Sequence, residues 1–422
     1  MRVYVDSVGC RLNQSEIESI AAQFRSQGYE LVTRVEDAQI VVINTCAVTG
    51  KAVADSRHLI RHAAEREGVQ VIATGCWAEL EPGEITGLSN RVQVVGNQEK
   101  SGIGLLFPAE QALHPAITGR SPLPGERFRT RAFIKVQDGC DNHCTFCITR
   151  IARGKAHSRT AEEVLQDIHW AAEGGAREAV LTGVNLSSWG MDFQPKLRLA
   201  DLVQTILQKT SIERLRLSSL EPWNLDERFF QLWEDPRMCR HIHLPLQSGS
   251  DAILKRMGRL TNREQFAAVV QTARQAEPNM AVSTDIIVGF PGEEERHFEE
   301  SLQFIQEMRF ESGHVFAYSP RPGTPAALLP GRVPDQELKR RSQRLRAVLA
   351  EQGREYRQSF IGSELQVLWE SSKQTGDGMW QLRGLSDNYL KVVSTSPVDR
   401  WNRIDRVRIA RIEKDNMFGE IV

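Results

Sequence analysis

The chain has 422 residues, 41% of them hydrophobic and 25% charged, with a formal net charge of −1. That length suits two or three domains, and the balance is that of an ordinary soluble globular protein, which excludes collagenous and wholly disordered classes. Any nucleic-acid contact must come from local basic patches, and without an apolar run of about 18 residues no membrane helix is expected.

The amino terminus, MRVYVDSVGC, reads as a strand and not as a signal peptide. Seven cysteines is an odd number, and six stand in site-like contexts, so they read as reduced cytoplasmic thiols acting as metal ligands, not as disulfides.

The first strand is Arg2 to Asp6. A helix follows, with Asn13 expected as its N-cap, Glu16 three residues on, an apolar face of Ile17, Ile20, Ala21 and Phe24, and a stop at Gly28. QIVVINTC is an unbroken apolar run suited to a parallel strand buried on both faces. A helix from Lys51 to Glu67, the strand VQVIATGC, a short helix and the strand RVQVVGN complete residues 1–107. This alternation predicts an open parallel α/β sheet. Cys10, Cys46 and Cys76 each stand just past the C-terminal end of a different strand. That edge of an open α/β sheet is where ligands bind, so three equivalent thiols point to a shared cluster; three unrelated buried cysteines are the alternative.

Residues 108–128, with four prolines and two glycines, read as a linker. The strand FIKVQ then leads into GCDNHCTFC, which sets Cys140, Cys144 and Cys147 in a CxxxCxxC pattern. Three thiolates can hold three irons of a four-iron cluster and leave the fourth open for chemistry. A structural zinc site with His143 or Cys239 as fourth ligand is the alternative, but such sites usually pair two knuckles and no second knuckle is present. Thr160 and Glu163 form a capping box for a helix ending at Gly174.

The strands EAVLTG, RLRLSS, HIHLPL, AVSTDIIVGF and GHVFAYS follow, with helices between them. Six βα repeats predict an incomplete parallel barrel whose active face lies at the strand C-termini. Polar residues mark those ends: Thr182, Gly183 and Asn185; Ser218, Ser219 and Glu221; Gln247 and Ser248; Gly289 and Glu293, with Asp285 inside the fifth strand. Each alone reads as a cap or turn, the preferred reading for Gly289 to Gly292; together they form a cup for a polar cofactor.

A helix from Pro334 to Phe360 carries Arg340, Arg341, Arg344, Arg346, Arg354 and Arg357, which read as a solvated face. Short strands from residue 363 onward predict a small β-barrel. Lys391, Arg400, Arg403, Arg406, Arg408 and Arg411, with Tyr389 and Trp401 among them, suit contact with phosphates and unstacked bases; solvated strand faces explain the same pattern.

CxxxCxxC with Phe146 before its last cysteine resembles the radical S-adenosylmethionine (SAM) enzymes. GCRLNQSE, NTCAVT, TGCWAEL, LTGVN, RLSSLEP, HLPLQSGS, IIVGFPGE and FAYSPRPGTPA extend the resemblance, over nearly the whole chain, to the methylthiotransferases. The resemblance implies that Cys140, Cys144 and Cys147 bind a 4Fe-4S cluster that cleaves SAM to a 5′-deoxyadenosyl radical. It implies an auxiliary 4Fe-4S cluster on Cys10, Cys46 and Cys76, and SAM contacts from Thr182, Gly183, Ser219 and Glu221, with Gln247 in the same cup. It divides the chain into an auxiliary-cluster domain (1–107), a linker (108–128), a radical SAM domain (129–360) and a TRAM-like RNA-binding domain (361–422).

GCRLNQSE, RLSSLEPW and CDNHCTFC are most similar to the branch acting on threonylcarbamoyladenosine beside the anticodon of tRNA. The isopentenyladenosine branch and the branch modifying a ribosomal-protein aspartate are alternatives, and a non-catalytic iron–sulfur RNA-binding protein is an alternative of another class. Implied partners are the tRNA anticodon loop and an electron donor such as flavodoxin or ferredoxin, with no membrane. In ITRIARG, Arg153 matches the family, whereas Arg150 and Ile151 stand where relatives have a proline and an aromatic; Arg150 suits either substrate RNA or a carboxylate partner. Cys239 reads as a buried structural thiol.

Overall fold

The computed structural model describes residues 1–108 and 130–422, so all but the first residue of the expected linker lies outside the described residues. The chain divides into two compact units: residues 1–142, 147–176 and 182–184, and residues 143–146, 177–181 and 185–422.

In the first unit, β1 (Arg2–Ser7), β2 (Glu30–Leu31), β3 (Ile40–Thr45), β4 (Gln70–Gly75) and β5 (Val92–Val94) form one parallel sheet in the order β2-β1-β3-β4-β5. β3 is buried along its whole length, as its unbroken apolar run requires. Helix α1 (Arg11–Ser26) packs Ile17, Ile20, Ala21 and Phe24 on one face of the sheet, against Val3 and Val42. Helices α2 (Gly50–Ala64), α3 (Cys76–Leu80) and α4 (Pro82–Thr86) complete the layer around Ile60, Val71, Trp77 and Ile85. The strand order reverses between β1 and β3, the switch point at which open α/β sheets bind ligands.

One expectation here is corrected. Helix α1 starts at Arg11 with Cys10 in the N-cap position, not at Asn13. Asn13 and Glu16 are buried instead, at 1% and 6% exposure. The same unit carries β6 (Arg131–Lys135), β7 (Gln137–Asp138), α5 (Thr149–Arg153), β8 (His157–Ser158) and α6 (Ala161–Glu173). β7 and β8 pair antiparallel, and α6 has the expected Thr160–Glu163 capping box and Gly174 end.

The strand succession continues through β9 (Glu178–Thr182), β10 (Arg214–Leu217), β11 (His241–His243), β12 (Ala281–Val288) and β13 (Ser312–Ala317). β9 pairs with β10, and β11 with β12 and β13, all parallel; single bridges at Leu215–Met238 and Ser219–His243 join the two groups. Helices α7 (Leu199–Lys209), α8 (Glu227–Phe230), α9 (Asp251–Arg256), α10 (Arg263–Ala276) and α11 (Glu295–Met308) alternate with them, which is the partial (β/α)6 barrel architecture.

Helix α12 (Asp335–Gln358) is less solvated than its arginines suggest. Arg341 is buried and bonds Glu293 Oε2 at 2.9 Å, while Leu345 and Leu349 face inward. β14 (Glu364–Gln374), β15 (Trp380–Ser386), β16 (Lys391–Ser396), β17 (Ile404–Glu413) and β18 (Asn416–Ile421) close a barrel in the order β14-β15-β16-β18-β17. Val367, Trp369, Leu382, Val392, Val407 and Met417 fill it. Buried Arg214 and Arg216 of β10 donate to barrel carbonyls of Gln366, Leu385, Ser386 and Asp387, and so fasten the barrel to the strand.

Candidate cluster and cofactor sites

In the first unit, Cys10, Cys46 and Cys76 follow β1, β3 and β4, so Cys10 and Cys46 flank the switch point. Cys10 is exposed and the other two are buried. Gly9 has φ +102°, and a Cβ there would sit 2.7 Å from Cys46 Sγ, so only glycine permits this close approach. Asn13 Nδ2 donates to Val8 O at 2.8 Å and Thr45 O at 3.0 Å, tying the segment before Cys10 to the residue before Cys46. Its Oδ1 accepts from Cys10 Sγ at 3.7 Å. Burial pushes the Cys46 thiol up to about 11, with Cys10 and Cys76 adding to the shift. Burial also raises Cys76, against the pull of Arg153. Cys46 and Cys76 therefore favour their protonated forms until a metal takes the proton's place.

Beside them lies a buried ionic network that sequence reasoning missed. Glu16 meets Lys100 Nζ at 2.7 Å, Lys135 Nζ at 2.9 Å and Arg153 Nη1 at 2.8 Å. Asp138 meets Lys135 at 2.6 Å and Arg153 at 3.0 Å. Burial opposes charge on Glu16, yet Arg153, Lys100 and Lys135 together hold its carboxyl well below the ordinary range. Arg153 Nε donates to Cys76 Sγ at 3.3 Å, and Nη2 donates to Asn13 Oδ1 at 2.8 Å. The Asn13-to-Glu16 spacing read as a cap; nothing local shows that both side chains turn inward.

The root of the CxxxCxxC loop is in the same unit. Cys140 N–H donates to Gly154 O at 3.1 Å. Gly139 has φ +65°, and a Cβ there would stand 1.8 Å from Lys155 O, so the turn into Cys140 demands glycine. Gln137 Nε2 donates to Asp138 O at 2.7 Å and Gly139 O at 2.8 Å. Gly183 lies against Gln137, and Thr182 O accepts from Val136 N at 2.9 Å. Thr182 and Gly183 thus stand at the base of the loop. Cys147 is half-buried; Arg150 and Ile151 are exposed, and Arg150 has no ion pair among the described residues.

Cys144, Ser219, Glu221 and Gln247 belong to the second unit. Glu221 is held by Arg259, with Nη1–Oε1 2.9 Å and Nη2–Oε2 2.5 Å. Arg259 also reaches Cys144 Sγ at 3.8 Å, donates to Pro245 O at 2.8 Å and lies 4.9 Å from the Trp223 ring. It therefore ties the third-strand carboxylate to the cysteine loop, and no sequence signal marked it. Ser219 pairs with His243, whose Nε2 stands 3.2 Å from Asp285 Oδ2. Gln247, at φ +70°, is held by Asp285 O at 2.8 Å and Ile287 N at 2.9 Å. The fifth strand end is different: Glu293 accepts from Gly289 N at 2.6 Å and from Arg341, so it pins its own turn.

Two further readings are resolved. Tyr389 does not join an RNA-facing stripe: its ring stacks on His241 at 4.4 Å with Arg216 5.0 Å from its centroid. Cys239 is buried with Sγ 3.7 Å from Glu178 Oε2, a structural thiol. All seven cysteines are free. Among the described residues no three His, Cys, Asp or Glu side chains stand in single-metal geometry; a cluster spreads its cysteines over different irons and does not ask for that geometry.

A CxxxCxxC loop after the first strand of a βα series marks the class of radical SAM proteins, and the Radical SAM superfamily model matches residues 134–305. Residues 2–96 match a second model, described as Uncharacterized protein family UPF0004. Threonylcarbamoyladenosine tRNA methylthiotransferase MtaB of Bacillus subtilis is 34% identical, over 99% of this chain and 95% of that protein. Its namesake in Thermotoga maritima is 35% identical over 92% and 90%. The tRNA-2-methylthio-N(6)-dimethylallyladenosine synthase of Ehrlichia canis is 30% identical over 99% of both chains. Among solved structures, the radical SAM methyltransferase TsrM of Kitasatospora setae shares the fold, with a TM-score of 0.59 at 14% identity over 78% of this chain and 75% of that one. The chain belongs to the radical SAM tRNA methylthiotransferases. Their cofactors, and so this enzyme's, are SAM and 4Fe-4S clusters.

Proposed function

We propose that this enzyme places a methylthio group on C2 of N6-threonylcarbamoyladenosine at position 37, beside the anticodon of tRNA. The relatives named for that nucleoside reach 34–35% identity, against 30–31% for those named for dimethylallyladenosine. Cys140, Cys144 and Cys147 hold the radical SAM cluster, and Cys10, Cys46 and Cys76 hold the auxiliary one. The donor sets fit: two groups of three free cysteines, one on the binding edge of an α/β sheet and one on a barrel loop. When bound, the clusters and SAM supply radical C–H activation and the sulfur and methyl group to be transferred.

The protein's own residues position that chemistry. One observation carries the reading: Arg153 bonds both Cys76 and Asp138, so the auxiliary cysteines and the root of the radical loop share one guanidinium. Sulfur insertion needs that adjacency, because donor and activated carbon must meet within contact distance. Thr182 and Gly183 line the loop base, while Ser219, Glu221 and Gln247 present polar groups at neighbouring strand ends. Arg259 grips both oxygens of the Glu221 carboxylate and so orients it.

Residues 1–107, 129–360 and 361–422 act as cluster, radical SAM and TRAM-like RNA-binding domains, joined by the segment 108–128. A one-electron donor such as flavodoxin or ferredoxin supplies the reductant, in the cytoplasm; no helix among the described residues is long and apolar enough to cross a membrane. Mass spectrometry of tRNA nucleosides from cells with and without the gene tests the substrate. Loss of 2-methylthio-threonylcarbamoyladenosine with accumulation of its unthiolated precursor is expected. An unchanged level of that nucleoside, with loss of the isopentenyl nucleoside, would move the enzyme to the other branch.

A further inference from the structure

Arg153 stands six residues beyond Cys147, at the end of α5, and its side chain is only 1% exposed. Every arm of its fork is engaged. Nε points at Cys76 Sγ, 3.3 Å away. Nη1 bonds Glu16 Oε1 at 2.8 Å and both Asp138 oxygens at 3.0 and 3.1 Å. Nη2 bonds Asn13 Oδ1 at 2.8 Å and Glu16 Oε2 at 3.2 Å. The two carboxylates fix the plane of the guanidinium, and that plane aims the remaining N–H at sulfur. A lysine could supply the charge but not the fork.

The charge balance points the same way. Lys100, Lys135 and Arg153 face Glu16 and Asp138, so three cations against two carboxylates leave a surplus of +1 beside the thiols. Hydrogen bonds to ligand sulfur and nearby positive charge are two of the levers that set the potential of an iron–sulfur cluster. Both favour the reduced, more negative state.

We propose that Arg153 is a positioning residue that orients Cys76 and raises the reduction potential of the auxiliary cluster through its N–H···S bond and its charge. The inference rests on the assignment of Cys10, Cys46 and Cys76 as ligands of that cluster. It gives the ARG segment after the radical loop a role in tuning the other site: the loop that organises one cluster also sets the electronics of its neighbour.

The test uses the full-length chain with Cys140, Cys144 and Cys147 all replaced by alanine, reconstituted anaerobically so that any remaining cluster is the auxiliary one. Iron content and redox titration followed by electron paramagnetic resonance are measured with Arg153 intact, as Arg153→Lys and as Arg153→Gln. The expected order of potentials is parent highest, Arg153→Lys lower and Arg153→Gln lowest, each retaining four irons. If Arg153→Gln fails to fold, Arg153→Lys decides alone, because it keeps the charge and loses the bond to sulfur. Four irons with the parent's potential in the folded variants overturns the inference while leaving the ligand assignment standing. No iron in the parent overturns the ligand assignment and the inference with it.

Discussion

Cysteine chemistry in this chain is decided residue by residue through burial and neighbours. Burial pushes Cys239 up to about 12, and the Arg216 guanidinium only partly opposes that; Cys10, by contrast, is exposed. The thiolate is the reactive form, so a thiol with so high a pKa is almost wholly protonated at pH 8. In the cluster-free protein, iodoacetamide at pH 8 is expected to alkylate the buried Cys239 far more slowly than the exposed Cys10. Raising the pH toward 12 removes the proton and narrows the gap. Peptide mass mapping against time reads both rates; equal labelling at pH 8 would refute the burial of Cys239. At this scale the sequence was a partial guide. It marked Cys239 as structural and six thiols as site residues, but it presented Asn13 and Glu16 as a helix cap, because a cap and a buried hydrogen-bonding pair share the same three-residue spacing.

At the scale of elements, strand β10 does more than its sequence suggested. RLRL alternates as a strand should, yet its arginines do not face water. Arg216 is fully buried, pairs with Glu178 at 2.6 Å and donates to the carbonyls of Ser386 and Asp387. Replacing it with alanine takes from the completely buried Glu178 carboxylate its nearer cation and leaves Arg214, at 3.7 Å, facing it. Arg216→Ala is therefore expected to destabilise the cluster-free protein by about 3–5 kcal/mol. Arg408→Ala, on the barrel surface beside Glu364, should change stability by less than about 1 kcal/mol. Urea denaturation of both variants makes the comparison; similar midpoints would show that the β10 arginines do not hold the barrel. The same anchoring explains why Tyr389 left the expected RNA stripe: it stacks on His241 at the seam where barrel meets strand.

At the scale of the whole molecule, a net charge of −1 leaves RNA binding to a local surface. On the small barrel, Arg400, Arg408 and Arg411 are neutralised by Asp405, Glu364 and Glu413. Lys391, Arg403 and Arg406 are exposed and have no ion pair among the described residues. Of the sequence stripe of six, these three are the cations left for phosphate, and Lys373, Arg383 and Lys414 are further exposed cations of the barrel. Replacing Arg403 and Arg406 by alanine is expected to weaken tRNA binding and lower the slope of log affinity against log salt by about 1 per residue. Filter binding across a salt series measures it; an unchanged slope would place the RNA on another surface.

The sequence by itself determined the alternation of strands and helices, the partial barrel and the terminal β-barrel, and it singled out the two cysteine sets. Those features rest on local spacing, period and turn chemistry, which neighbouring residues carry without help from the rest of the chain. Only the tertiary structure decided what surrounds the cysteines: the two-residue strand β2 that completes the 2-1-3-4-5 order, the inward turn of Asn13 and Glu16, the meeting of Lys100, Lys135 and Arg153 on Glu16, and the hold of Arg259 on Glu221 and Cys144. These contacts join residues far apart in the chain. A charged side chain looks the same in sequence whether it ends in water or in a buried pair, and the difference is made by the low-dielectric neighbours that folding brings to it.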